Sequence, residues 1–212
     1  ADRPLLVEVP KLAELNQKEI DNAIKNGLIV IDARPKAVSS QGFISGSFLI
    51  ENMKTFSTFA GSIVDYQNQI ILIAEENQIE DLMRKLMRIG MDNIYGYITN
   101  PSEQNLALQN VKTIDIETFK SYLGNKKIQK IDVRTESEYK NGHIKGVENI
   151  ALNTLEKNLD KINKKEPVII HCQSGTRAAI AYSILVKNGF ENILNYSGGI
   201  NEWKEKKNEL AQ

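Results

Sequence analysis

Val168-Ile169-Ile170-His171-Cys172-Gln173-Ser174-Gly175-Thr176-Arg177 is the stretch on which the reading of this chain turns. Behind Pro167, three successive branched apolar residues make a run short enough for a strand buried on both faces, as in a parallel sheet. Ahead of the polar residues, Ala178, Ala181 and Leu185 fall on one stripe of a helix over 178–187 that stops at Gly189. A strand runs through a short loop into a helix. In open α/β sheets the working crevice lies beyond the carboxyl ends of the strands, and residues 172–177 stand there.

Working outward, the chain repeats itself. Ile31-Asp32-Ala33-Arg34 returns as Ile131-Asp132-Val133-Arg134, and Gly42-Phe43-Ile44-Ser45-Gly46 as Gly142-His143-Ile144-Lys145-Gly146. Gly90-Met91-Asp92-Asn93-Ile94 matches Gly189-Phe190-Glu191-Asn192-Ile193. Three matches in the same order at a spacing near 100 indicate tandem domains, because solenoid units repeat every ~20–50 residues. The second copy reads as a helix capped by Asp115, a strand over 127–133, a short helix opened by a Thr135/Glu138 capping box, the strand ending at His171, the helix over 178–187, a strand from Ile193 and a last helix bearing Trp203. The first copy reads as a helix over 16–26, strands over 28–32 and 69–74, a helix over 78–89 and a strand over 93–97. Alternating strands and helices imply parallel, helix-covered sheets. The expected division is 1–110 and 111–212, with residues 104–111 as connector.

The loop is where the chemistry is expected. Cys172 is the only cysteine, and it precedes a helix N-terminus. Unpaired N–H groups and the helix dipole favour an anion there, and a guanidinium on Arg177 is expected to add to them, lowering a thiol's pKa. Gly175 lets the backbone curl its N–H groups inward, and Ser174 and Thr176 offer hydroxyls. A cysteine after an apolar strand is ordinarily packing. The polar, glycine-containing loop and the arginine at the helix start turn the reading to a nucleophile.

Composition agrees without deciding. The 212 residues carry 27 basic and 27 acidic side chains and are 41% hydrophobic, as in ordinary globular proteins. Zero net charge argues against non-specific nucleic-acid binding. No apolar run approaches the ~20 residues of a membrane span, and one cysteine excludes an internal disulfide and favours a reducing compartment, here read as cytoplasmic. The balance is uneven: residues 1–110 hold 10 basic and 14 acidic side chains, residues 111–212 hold 17 and 13. His143 and His171 lack carboxylate or cysteine partners at ligand spacing, so no metal site is expected.

Residues 128–203 resemble a rhodanese (sulfurtransferase) domain. The resemblance is carried by Asp132-Val133-Arg134, Glu138-Tyr139, Gly142-His143-Ile144-Lys145-Gly146, Asn149-Ile150, the run from His171 to Arg177, and Ser197-Gly198-Gly199 with Trp203. It implies Cys172 as nucleophile, a substrate cradle of Gln173, Ser174, Gly175, Thr176 and Arg177, and a persulfide that hands its outer sulfur to a second nucleophile. Cysteine phosphatases on a related fold are known by Cys-x5-Arg; here four residues separate Cys172 and Arg177, which resembles the tighter sulfurtransferase loop. With no second thiol in the chain, the acceptor must be external.

The first copy has Glu75 where Cys172 would stand, and Glu75-Glu76-Asn77-Gln78 holds neither cysteine nor arginine in a loop about two residues shorter. It is expected to be an inactive rhodanese-like domain. With Arg3-Pro4-Leu5-Leu6 and the run from Arg84 to Gly90, it looks like the tandem region of metallo-β-lactamase–rhodanese fusions, which resemble persulfide dioxygenase–sulfurtransferases. That resemblance implies a covalent N-terminal metallo-β-lactamase-fold domain carrying iron, and a role in sulfide and persulfide detoxification. No His-x-His-x-Asp-His run occurs here, so iron belongs outside this chain, and the start at Ala1 fits a fragment. A two-domain thiosulfate sulfurtransferase and a partner-binding module are the alternatives.

Overall fold

A computed structural model describes residues 9–212; the resemblance carried by Arg3-Pro4-Leu5-Leu6 lies outside them. In chain order the elements are α1 (Gln17–Lys25), β1 (Ile29–Asp32), α2 (Lys36–Ser39), β2 (Phe43–Ile44), β3 (Phe48–Leu49), α3 (Phe56–Ile63), β4 (Ile70–Ile73), α4 (Glu76–Met87) and β5 (Ile94–Ile98). There follow β6 (Leu108–Gln109), β7 (Thr113–Ile114), α5 (Ile116–Tyr122), β8 (Gln129–Asp132), α6 (Glu136–Lys140), β9 (Glu148–Asn149), β10 (Val168–His171), α7 (Thr176–Lys187), β11 (Ile193–Tyr196) and α8 (Gly199–Glu205). The contacts divide the chain into two compact units: residues through Pro35 with Ile50–Ala107, and Lys36–Leu49 with Leu108–Gln212. Each is an α/β domain with a mainly parallel sheet flanked by helices. Among the described residues no helix is long and apolar enough to cross a membrane.

In the first unit β4 lies between β1 and β5, parallel to both, and all four of its residues are buried. Asn16 starts α1 with a reciprocal cap: its side chain accepts from Glu19 N at 3.1 Å, and the Glu19 carboxylate accepts from Asn16 N at 2.9 Å. Helix α4 buries Ile79, Leu82, Met83 and Leu86, the i, i+3, i+4, i+7 spacing of one face. Only Ala74 and Glu75 separate β4 from α4.

The second unit's sheet has the order β7-β11-β10-β8-β9, parallel throughout. The capping signals act as read: Asp115 accepts from Thr118 N at 2.8 Å, and Thr135 and Glu138 form a complete capping box. Strand β10 is fully buried at the centre, and four residues, 172–175, separate it from α7. Helix α7 is buried without a break from Ala178 to Leu185. A helix apolar all round must be covered on more than its sheet side.

That second cover is Lys36–Leu49, which the expected boundary at 110/111 assigns to the first domain. The Leu49 N–H donates to Ser183 Oγ at 3.1 Å, the rings of Phe43 and Tyr182 meet edge-on at 6.2 Å, and the Lys187 ammonium lies 4.1 Å from the centre of the Phe48 ring. The expected connector is also partly ordered structure, since Gln109 and Leu108 pair antiparallel with Phe43 and Ile44. The repeat marks the origin of 36–49, whereas burial decides its place.

Candidate active site

Position 172 comes from the sheet. Strand β10 pairs with β8 and β11 on its two sides, so its end opens at the middle of the carboxyl edge rather than at a flank. Residues alternate across a strand, and His171 turns into the core while the next residue faces the loop. The His171 ring sits 5.8 Å from that of Phe119, which stacks on Tyr196 at 4.6 Å. Burial lowers the His171 pKa, keeping it a neutral core residue.

Two glycines shape the loop. Gly175 has φ +92°, and its N–H lies 3.2 Å from Cys172 Sγ, so the donor faces the sulfur. A Cβ at Gly175 would come within 2.7 Å of the Ser197 carbonyl. Gly199, at φ +60°, opens α8 against the loop: the N–H groups of Ile200 and Asn201 donate to the carbonyls of Cys172 and Gln173 at 3.0 and 3.1 Å. A Cβ on Gly199 would stand 2.3 Å from the Cys172 oxygen. No side chain caps α7, leaving its first turn's dipole toward the cysteine.

The expected residues are brought together, with different partners from those expected. Cys172 is buried. Gln173 donates through its amide to Asn201 Oδ1 on α8. Ser174 is exposed, and its carbonyl accepts from Lys36 Nζ at 3.1 Å. Thr176 begins α7. The Arg177 guanidinium feels the charge of Cys172 and forks onto Glu138, with Nη1 2.6 Å from Oε2 and Nη2 2.8 Å from Oε1. Oε2 also accepts from Thr135 N and Oγ1 at 3.0 and 2.8 Å. A bidentate carboxylate is the stronger partner for a planar guanidinium. Hydrogen bonding to Arg177 holds the Glu138 carboxyl at about 2, and Glu138 in turn keeps Arg177 charged. The arginine therefore latches the start of α7 to α6.

Glu138, Asn201 and Lys36 are the participants that sequence reading missed. Glu138 was visible as a cap and within the family resemblance but not as a partner of Arg177, and Lys36 stands 138 residues from its partner. Asp132 and Arg134 form an ion pair at 2.7 Å, with Arg134 buried and also donating to the Gly142 carbonyl at 2.9 Å. His143 stacks on Tyr139 at 3.9 Å, and Trp203 is buried and donates to the Glu209 carbonyl at 2.9 Å.

The site is thus a parallel α/β unit presenting one buried cysteine in a glycine-shaped loop at a helix start. Residues 115–206 match the family model described as Rhodanese-like domain. The Bacillus subtilis protein YqhL is 39% identical over 93 residues, which are 44% of this chain and 72% of that one. A sulfurtransferase of Allochromatium vinosum is 30% identical over 94 residues, covering 44% of this chain and 88% of its own. The crystal structure of a rhodanese-like domain protein from Staphylococcus aureus covers 44% of this chain and 91% of its own at 34% identity, with a TM-score of 0.41. Through these residues the chain belongs to the rhodanese family.

Proposed function

We propose that this chain is a rhodanese-type sulfurtransferase that carries sulfane sulfur on Cys172. The observation that carries the reading is Cys172 Sγ at the carboxyl end of the central strand, facing the Gly175 N–H in a loop before an uncapped helix. The Cys172 thiolate attacks the outer sulfur of an anionic donor, thiosulfate or a low-molecular-weight persulfide. A bond forms between Sγ and that sulfur, the donor's S–S bond breaks, and sulfite or a thiolate leaves with the electron pair. An external thiolate then attacks the outer sulfur of the persulfide, and Cys172 departs as thiolate. Two half-reactions through a covalent intermediate make a ping-pong enzyme.

Several supports converge on this. Residues 115–206, which hold the cysteine, match the rhodanese-like family model, a relative named a sulfurtransferase is 30% identical over 94 residues, and the single thiol calls for an external acceptor. A cysteine that must stay free suits a reducing compartment such as the cytoplasm. The first unit, where Glu75 stands in the shortened turn before α4, is read as an inactive companion. Placement beside a metallo-β-lactamase-fold domain rests on Arg3-Pro4-Leu5-Leu6 and on the run from Arg84 to Gly90; the comparisons favour the plainer sulfurtransferase.

The test is donor-by-donor loading followed by mass spectrometry of the intact chain. A gain of one sulfur atom on Cys172, absent in Cys172→Ser, is expected with thiosulfate or glutathione persulfide. An unchanged mass with both donors would refute the reading. Full biological function in a folded Cys172→Ser variant would instead make the unit a binding module.

A further inference from the structure

We infer that Lys36 is a specificity-determining residue, binding the negative group that an anionic sulfur donor carries beyond its transferable sulfur. The inference rests on the sulfurtransferase reading and names the donor chemistry that the site selects.

Lys36 opens α2, within the segment that packs with the catalytic unit. That segment is anchored rather than draped. Its hold on α7 through Ser183, Tyr182 and Lys187 is joined by Val111 N–H donating to the Ser40 carbonyl at 2.9 Å. The anchorage delivers the ammonium to the loop, where Nζ donates to the Ser174 carbonyl and stands 2.8 Å from where a Cβ of Gly175 would be. It thus flanks the residue whose N–H faces Cys172 Sγ.

The charges around the loop single it out. Arg177 is already paired with the Glu138 carboxylate in the latch. Among the described ion pairs none joins Lys36 to a carboxylate. Lys36 therefore offers a positive charge without a carboxylate partner at the thiol loop, on a side chain only partly buried. One bond to a carbonyl leaves an ammonium two further donors. A sulfonate on the transferred sulfur, as in thiosulfate, meets those donors; a persulfide on an uncharged carrier does not.

The experiment compares thiosulfate with 2-hydroxyethyl persulfide as donors to the full chain and to Lys36→Met and Lys36→Arg. Lys36→Met keeps the apolar stem, and circular dichroism with thermal melting verifies its fold. Its thiosulfate-to-hydroxyethyl-persulfide ratio of kcat/KM is expected to fall roughly 10- to 100-fold, the range for losing a hydrogen bond to a charged group. The loss should lie in KM for thiosulfate rather than kcat, with recovery in Lys36→Arg. An unaltered ratio, whether because both donors suffer equally or because neither does, would overturn the assignment while leaving sulfur transfer standing. Failure of the unsubstituted chain to take sulfur from either donor would instead overturn the functional reading, and this inference with it.

Discussion

Gly199→Ala probes the site through the backbone packed against the thiol loop. The added methyl would meet the Cys172 oxygen at 2.3 Å, the Gln173 oxygen at 2.8 Å and the Gln173 carbonyl carbon at 3.0 Å. Ordinary carbon–oxygen contacts begin near 3.3 Å, so the loop must withdraw by about 1 Å or α8 must unwind its first turn. Withdrawal breaks the bonds from Ile200 N and Asn201 N, at about 1 kcal/mol each, and the positive φ adds roughly 1–2 kcal/mol. The expected loss of stability is about 3–4 kcal/mol. Misplacing a reacting atom by ~1 Å can cost about 100-fold in rate. The assay pairs urea denaturation with the rate of Cys172 persulfide formation. Gly146→Ala is the control, because Gly146 shares the positive φ, at +82°, and has no atom within 4 Å of its would-be Cβ. It should lose only the backbone contribution and load sulfur normally. If the two variants lose equal stability and both load within twofold of the parent, the contact with the loop is not what holds Cys172.

Two further perturbations test the supports. The Glu138 carboxyl is lowered from its ordinary 4.5 to about 2, chiefly by its hydrogen bonds to Arg177, so the pair's stabilisation is full above the unfolded value and is lost as pH falls toward 2. The stability gap between the parent and Glu138→Gln, followed by denaturation from pH 6 downward, should close between about pH 4.5 and 2; a constant gap over that window would contradict it. Ser183→Ala removes the acceptor of the buried Leu49 N–H and should cost about 1–3 kcal/mol in denaturation, against less than ~0.5 kcal/mol if 36–49 is loosely held.

Local signals were legible because local physics makes them. Asp115, Thr135 and Glu138 marked helix starts through the hydrogen bonds they make within three residues. The run Val168-Ile169-Ile170 and the cysteine after it fixed the central strand and the position of the loop. What the sequence concealed was long-range. The Arg177–Glu138 latch spans 39 residues, and Lys36 reaches the loop from 138 residues away, with no periodicity to announce either. Strands β2, β3, β6, β7 and β9 have two residues each, too short for alternation to show. One signal was present and unused. The apolar stretch in α7, interrupted only at Ser183, called for a second covering layer, and Phe43 and Phe48 in the first copy were available to supply it.

The partition of 36–49 has a consequence for biosynthesis. Leu49 precedes its buried partner Ser183 by 134 residues. At roughly 5–20 residues per second, Phe43, Phe48 and Leu49 wait about 7–27 s on the ribosome before α7 emerges to cover them. During that time the apolar strip holding Phe43 and Phe48 lacks the helix that packs on it. The thiol loop acquires its lysine only after nearly the whole chain has been made. A late stop codon would therefore do more than delete the cysteine: it would leave the strip without its helix, so truncated products should be recognised by chaperones and proteases as unfinished even when their own sheet has formed.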